Sequence, residues 1–167
     1  MKSPILFAEK QRFTQWWSIL LLIGMNCFFL YGLFFQVYMG ETISDIPLDD
    51  DFFIFGFVLF LAFTIFFFLQ VLITTIDDDG IYIKFRSFRK EDKFYPWQDI
   101  INCDVDAYNP MTDYGGWGML DDVYNASGNQ GMLLKFKKRR NIMVGTQKPE
   151  ELKKALEKAG KLKKVSF

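Results

Sequence analysis

The sequence predicts an α+β membrane protein: a two-helix transmembrane hairpin, then a small β-barrel or strongly bent sheet capped by a C-terminal α-helix. Three observations predict it. Two long uncharged runs lie in the first half, the apolar pattern then changes from continuous to alternating, and an amphipathic stretch with helix-terminal signals closes the chain. At 167 residues the chain has room for a short membrane anchor and one further core, not for two independent soluble domains.

Half of the residues are apolar and 24% are charged, so apolar and charged stretches must be segregated. Twenty basic residues balance twenty acidic ones, yet the order along the chain is uneven. Lys135 to Lys164 holds twelve bases against three acids, whereas Glu41 to Asp51 holds five acids and no base. The two cysteines, Cys27 and Cys103, make no paired framework of the kind found in small secreted modules, which points to a reducing compartment. Histidine is absent, which removes the commonest general base and metal ligand.

The first apolar run, 16–39, is uncharged and at about 1.5 Å per residue is long enough to cross a hydrocarbon core about 30 Å thick. The second, 52–73, meets the same criterion, and no turn residue interrupts it before Asp77. The length of the first run and the lack of a small-x-small site before Gly40 favour a signal anchor over a cleavable signal. Lys2, Lys10 and Arg12 precede the first helix, Lys84, Arg86, Arg89, Lys90 and Lys93 follow the second, and the loop between has no cation. Both termini are therefore expected in the cytoplasm, with the acidic loop 40–51 outside and solvated. Trp16, Trp17 and Tyr38 stand where interfacial anchors belong. Asn26, Gln36, Thr64 and Gln70 are the strongly polar side chains of the spans and are expected at a hairpin seam or an oligomer contact. No ionisable group lies within either span to relay an ion.

From Leu72 the pattern alternates. Leu72 to Ile76, the turn DDDG at Asp77 to Gly80, and Ile81 to Arg86 predict a hairpin. Phe94 to Trp97 and Ile100 to Asp106 predict further strands, the latter with Ile101, Cys103 and Val105 on one face. Met132, Leu134 and Phe136 then match Ile142 and Val144 across a basic turn. Pro149 fits the first turn of a helix, Glu150 and Glu151 its positive end, Leu152, Leu156 and Ala159 one stripe, and Gly160 its end. The expected organisation is a cytoplasmic N-terminal segment at 1–15, helices at 16–39 and 52–73, the external loop at 40–51 and a cytoplasmic domain at 74–167. The part from about Leu72 onward is expected to close its own core.

Asp78 to Ile81, Tyr95 to Ile100 and Gly145 to Leu152, supported by Tyr114 to Gly118 and Tyr124 to Gly131, resemble bacterial membrane proteins that carry a pleckstrin-homology-like domain. The resemblance covers nearly the whole chain through pattern, with no invariant motif. It implies a seven-stranded, helix-capped barrel of the kind that binds lipids, peptides or proteins, placed on the bacterial inner membrane. It transfers no catalytic residue, and a fold does not fix a ligand.

Other motifs lead nowhere catalytic. An EF-hand reading of the acids before Gly80 would put Thr75 at the first ligand position and Arg86 at the twelfth, where a bidentate glutamate belongs. Asp104 and Asp106 share a strand face without any phosphate loop, and Gly115, Gly116 and Gly118 lack phosphate-cradle spacing. Trp117, an aromatic on a glycine-rich loop, is a candidate partner contact. Lys135, Lys137, Lys138, Arg139 and Arg140 form the densest charge run, suited to anionic lipid head groups at about 1 kcal/mol per residue near a membrane. Nucleic acid is a poorer fit for a domain joined to the bilayer with almost no linker. The expectation is thus a non-enzymatic inner-membrane protein without cofactor or metal, presenting a binding or scaffold domain to anionic lipid, a peptide, another membrane protein or a second copy of itself. The alternative is an accessory subunit of a larger transporter or secretion complex.

Overall fold

A computed structural model describes residues 4–40, 50–86, 92–114, 118–120 and 122–162. The chain is α+β and divides into two units, Thr14–Leu69 and a second assembled from Met1–Phe13 with Gln70–Phe167.

The helical unit holds α1 (Trp16–Gly32), which continues as a π-helical stretch over Leu33–Tyr38, and α2 (Asp50–Leu69). Trp16–Gln36 and Asp51–Leu69 are long and apolar enough to cross a membrane. Most of their large side chains point outward, and a few pin the helices together. Phe53 lies over Gly32 and Phe29 over Gly56, where a Cβ would fall about 2 Å from the ring. Asn26 Nδ2 donates to Thr64 Oγ1 at 2.8 Å, so two of the four polar residues form the seam that the sequence anticipates. Gln36 lies in the π-helical stretch, and Gln70 falls between α2 and the next strand. Trp16 and Tyr38 are 76% and 79% exposed at the two ends of the first helical segment, and Trp17 is 47% exposed.

The second unit begins before the hairpin. Strand β1 (Ile5–Arg12) pairs antiparallel with β2 (Val71–Asp77), and β3 (Gly80–Arg86) and β4 (Lys93–Pro96) complete a sheet in the order β1-β2-β3-β4. The sequence gives 1–15 no strand because the inward face of β1 is half polar. Phe7 and Phe13 point inward together with Glu9 and Gln11, which are 4% and 0% exposed. α2 also ends at Leu69, short of Ile73, because Val71 to Ile76, β-branched at every position but Leu72, is a strand that pairs on both sides. In the register, Val71 is flanked by Arg12 and Arg86.

The second sheet runs β5 (Ile100–Ala107), β8 (Gln130–Phe136), β9 (Ile142–Gly145), β7 (Val123–Asn125) and β6 (Gly118–Leu120), with β7 parallel to β9 and the other pairs antiparallel. A short helix, α3 (Pro110–Tyr114), leads from β5 towards β6. Among the described residues the two sheets do not join into a closed barrel, which corrects that part of the expected fold. A register shift between Ile100 and Asn102 turns Ile101 outward to 54% exposure and buries Ile100, so the inward face of β5 is Ile100, Cys103 and Val105. α4 (Pro149–Lys158) buries Leu152, Ala155 and Leu156. Gly160 ends it at φ +66°, a left-handed position suited to glycine, while Lys161 N–H returns to Leu156 O at 2.9 Å.

Leu72, Ile76, Ile81, Ile83, Ile100, Met132, Leu134, Leu152 and Leu156 form the core, each worth about 1.5–3 kcal/mol on burial. β1 is fastened to it by polar contacts. Thr146 Oγ1 and Gln147 N–H each donate to the Glu9 carboxylate at 2.7 Å, and Gln11 Nε2 donates to Gly145 O.

Candidate functional site

The basic turn is real, and most of its charge is matched. Lys135 lies on β8 with its ammonium 3.8 Å from Asp104, Arg139 is 3.7 Å from Asp99, and Arg140 is 3.5 Å from Asp122. These pairs are solvated and worth about 0–1 kcal/mol each. The Arg139 guanidinium also lies over the rings of Phe136 (4.1 Å) and Tyr95 (4.7 Å), which flattens it against the domain. Among the described residues, Lys137 and Lys138 are exposed and carry no ion pair. With Asp99, Phe136 and Arg139 they line a shallow depression of about 290 Å³.

The place of that turn was not legible in the sequence. Arg139 stacks on Tyr95, which pairs with Ile81, one residue from the Gly80 turn. The chain enters and leaves the helical hairpin at the other end of the sheet, where Arg12, Val71 and Arg86 stand side by side. Five residues along β3 separate the two ends, about 17 Å at 3.3 Å each. Trp117 lies outside the described residues.

A second feature, which the sequence analysis missed, adjoins the basic turn across the segment Trp97 to Asp99. Tyr82 on β3 and Phe94 on β4 are register partners with stacked rings, 4.4 Å between centroids and 29° between planes. Trp97, in the turn after β4, donates its indole N–H to Asp77 O at 2.9 Å and its backbone N–H to Asp79 O at 3.2 Å. Asp77 Oδ1 accepts the N–H groups of Asp79 and Gly80 at 2.9 and 3.0 Å, which folds DDDG into a compact turn. Gly80 is required there, because a Cβ would fall 2.3 Å from Tyr95 O. Tyr82, Phe94, Trp97 and Asp79, with Asp78, Pro96 and Gln98, bound an open cleft of about 480 Å³. The Tyr82 phenol is pushed above its ordinary value by lost hydration and then by the Asp77 and Asp79 carboxylates. The available signal was the alternation itself: Tyr82 and Phe94 are aromatics on the outward phase of their strands.

Buried polar groups elsewhere serve the joint between the sheets. Lys93 Nζ donates to Tyr124 OH at 2.5 Å, and the Tyr95 and Tyr124 hydroxyls are 3.5 Å apart. Burial, and then the Tyr124 hydroxyl, raises the Tyr95 phenol far above its usual value. Burial pushes the Cys103 thiol up to about 12, against a smaller opposing effect of Lys161, so it is a protonated core side chain. Among the described residues, no group of three or more His, Cys, Asp or Glu side chains could hold a metal ion. Stacked aromatic faces, exposed carboxylates and two exposed lysines thus lie close together at this end of the unit.

The sequence profile of a family of unknown function, DUF6141, matches residues 7–161, and the chain belongs to that family. The match starts inside β1 and ends just after α4, so the strand before the hairpin belongs to the same pattern as the sheets after it. No curated protein matches the chain.

Proposed function

For this member of DUF6141, we propose a non-enzymatic, membrane-anchored binding module: the hairpin spans the bacterial inner membrane, and the two-sheet unit, a pleckstrin-homology-like domain, holds a partner protein at the cytoplasmic face. The observation that carries the reading is the pairing of Arg12 with Val71. Residues 13–15 alone separate β1 from α1, and Gln70 alone separates α2 from β2, so the domain is tied to the bilayer by two adjacent strands. A domain tethered by two such short links is suited to presenting a surface to a neighbouring protein. Exposed Arg12 and Arg86 flank Val71, the second residue after α2, which favours the cytoplasmic side. The four-stranded meander, the antiparallel β5-β8-β9 sheet and the closing C-terminal helix support the pleckstrin-homology-like reading.

The placement of the basic turn favours protein over lipid as the partner. Three of its five cations are matched by carboxylates, and it lies at the end of the sheets away from Arg12 and Val71. The test is purification of the full-length protein in mild detergent, alongside flotation with anionic and zwitterionic vesicles. A stoichiometric protein partner should be retained, and Lys137→Gln with Lys138→Gln should change vesicle binding by less than threefold. Loss of anionic-vesicle binding in that double variant, with no protein retained, would overturn the reading in favour of lipid.

A further inference from the structure

We propose that the cleft formed by Tyr82, Phe94, Trp97 and Asp78 is the partner-binding site, and that it takes a lysine- or arginine-bearing extended segment of another protein. This rests on the reading of the domain as a protein-binding module and says where and what it binds. Tyr82, Phe94 and Trp97 come from β3, β4 and the turn after β4, and they converge on the outer face of the first sheet, away from the core formed by Ile81, Ile83 and Tyr95. Phe94 is 42% exposed although it lies in a strand, and its exposed ring is stacked on Tyr82. Trp97 is held by its indole N–H, so the platform exists before any ligand arrives.

The charge around the platform selects the occupant. Asp78 and Asp79 are exposed on its rim, and the nearest cation on the same strand face, Lys84, is drawn off by Asp92 at 2.9 Å. An anionic head group or phosphate would meet carboxylates here, and an uncharged apolar segment would make no use of the Asp78 carboxylate. A guanidinium or ammonium satisfies both features, lying over an aromatic face while its N–H groups reach a carboxylate. The cleft is open and shallow, which suits an extended chain rather than a small molecule.

The experiment uses the full-length protein in zwitterionic nanodiscs and a fluorescein-labelled ten-residue peptide that alternates arginine with proline. Peptides with glutamine or glutamate in place of arginine are the controls. Anisotropy should show saturable binding of the arginine peptide at least tenfold tighter than of the glutamine peptide, and none of the glutamate peptide. Asp78→Asn with Asp79→Asn should weaken it at least fivefold, as should Phe94→Ala, with unchanged circular dichroism. Lys137→Gln with Lys138→Gln should not weaken it. Equal binding of arginine and glutamine peptides, or indifference to both cleft variants, would overturn the proposal. Retention of the protein partner in mild detergent separates the two levels. A partner retained equally by wild type and the cleft variants leaves the module reading standing and removes this site. Self-association of wild type that the cleft variants abolish would make a second copy the occupant and overturn the assignment to another protein.

Discussion

Replacing Glu9 with alanine tests whether the strand before the hairpin belongs to the domain. Glu9 is 4% exposed, and its carboxylate accepts from Thr146 Oγ1 and Gln147 N–H at 2.7 Å each. Hydrogen bonds to a charged group contribute about 1.5–3 kcal/mol, and truncation also strands the two donors, so a loss of about 3 kcal/mol is expected. Glu9→Gln keeps an acceptor and should lose about half as much. The assay is urea unfolding of a soluble unit in which a short Gly-Ser turn joins residues 4–13 directly to 70–162. Opposed residues of an antiparallel pair are about 5 Å apart, so a turn can bridge Arg12 and Val71. With a urea dependence of about 1.3 kcal/mol per M for a domain of this size, the midpoint of Glu9→Ala should fall by about 2 M. Residues 70–162 alone, without β1, should show no cooperative transition. A midpoint shift below about 0.4 M, or cooperative unfolding of 70–162 alone, would refute the role given to β1.

The Cys103 thiol should resist alkylation at pH 8 in the folded protein and react on denaturation. Because burial raises its folded value to about 12 from an ordinary 9.0, its contribution to stability is complete below about pH 9 and is lost as pH rises towards 12, which pH-dependent unfolding of wild type against Cys103→Ala would show. Gly80→Ala should destabilise the soluble unit by about 2 kcal/mol or more, because the added methyl meets backbone at Tyr95, and the drop in unfolding midpoint measures it. A reporter fused after Phe167 should behave as cytoplasmic and a tag inserted near Ser44 as external; an external C-terminus would remove the cytoplasmic reading.

What could be read in advance followed the strength of the local pattern. Uncharged runs gave both long helices, and alternation with turn chemistry gave the strands from Leu72 to Arg86, the Met132 to Val144 hairpin and the last helix. β1 was hidden because Glu9 and Gln11 occupy inward positions, and only tertiary partners at Gly145 to Gln147 make them acceptable there. The bulge at Ile101 was hidden for a related reason, since one extra residue reverses the phase that an alternation argument depends on. Among the site residues, the sequence located the cations of the basic turn but not their carboxylate partners, which come from β5 and the segments before β5 and β7. Alternation puts Tyr82 and Phe94 on the outward phase of their strands, but their meeting as one cleft depends on the pairing register, which that alternation does not supply.

The pairing of Arg12 with Val71 also sets an order of assembly. Residues 13–70 intervene between them, and closing a free loop of that length costs on the order of 4 kcal/mol in chain entropy. On the proposed topology, a hairpin already inserted in a bilayer would return the chain to the side it left, so Val71 would emerge within reach of Arg12 and that cost would be largely met before the sheet forms. Insertion of only one of the two helices would strand β1 across the membrane from its partner strand, leaving Glu9 and Gln11 without Gly145 to Gln147 and the first sheet without its edge. On that topology, folding of the two-sheet unit would report whether both helices have been inserted, and a chain threaded wrongly would carry an open β2 edge that proteases and chaperones can recognise.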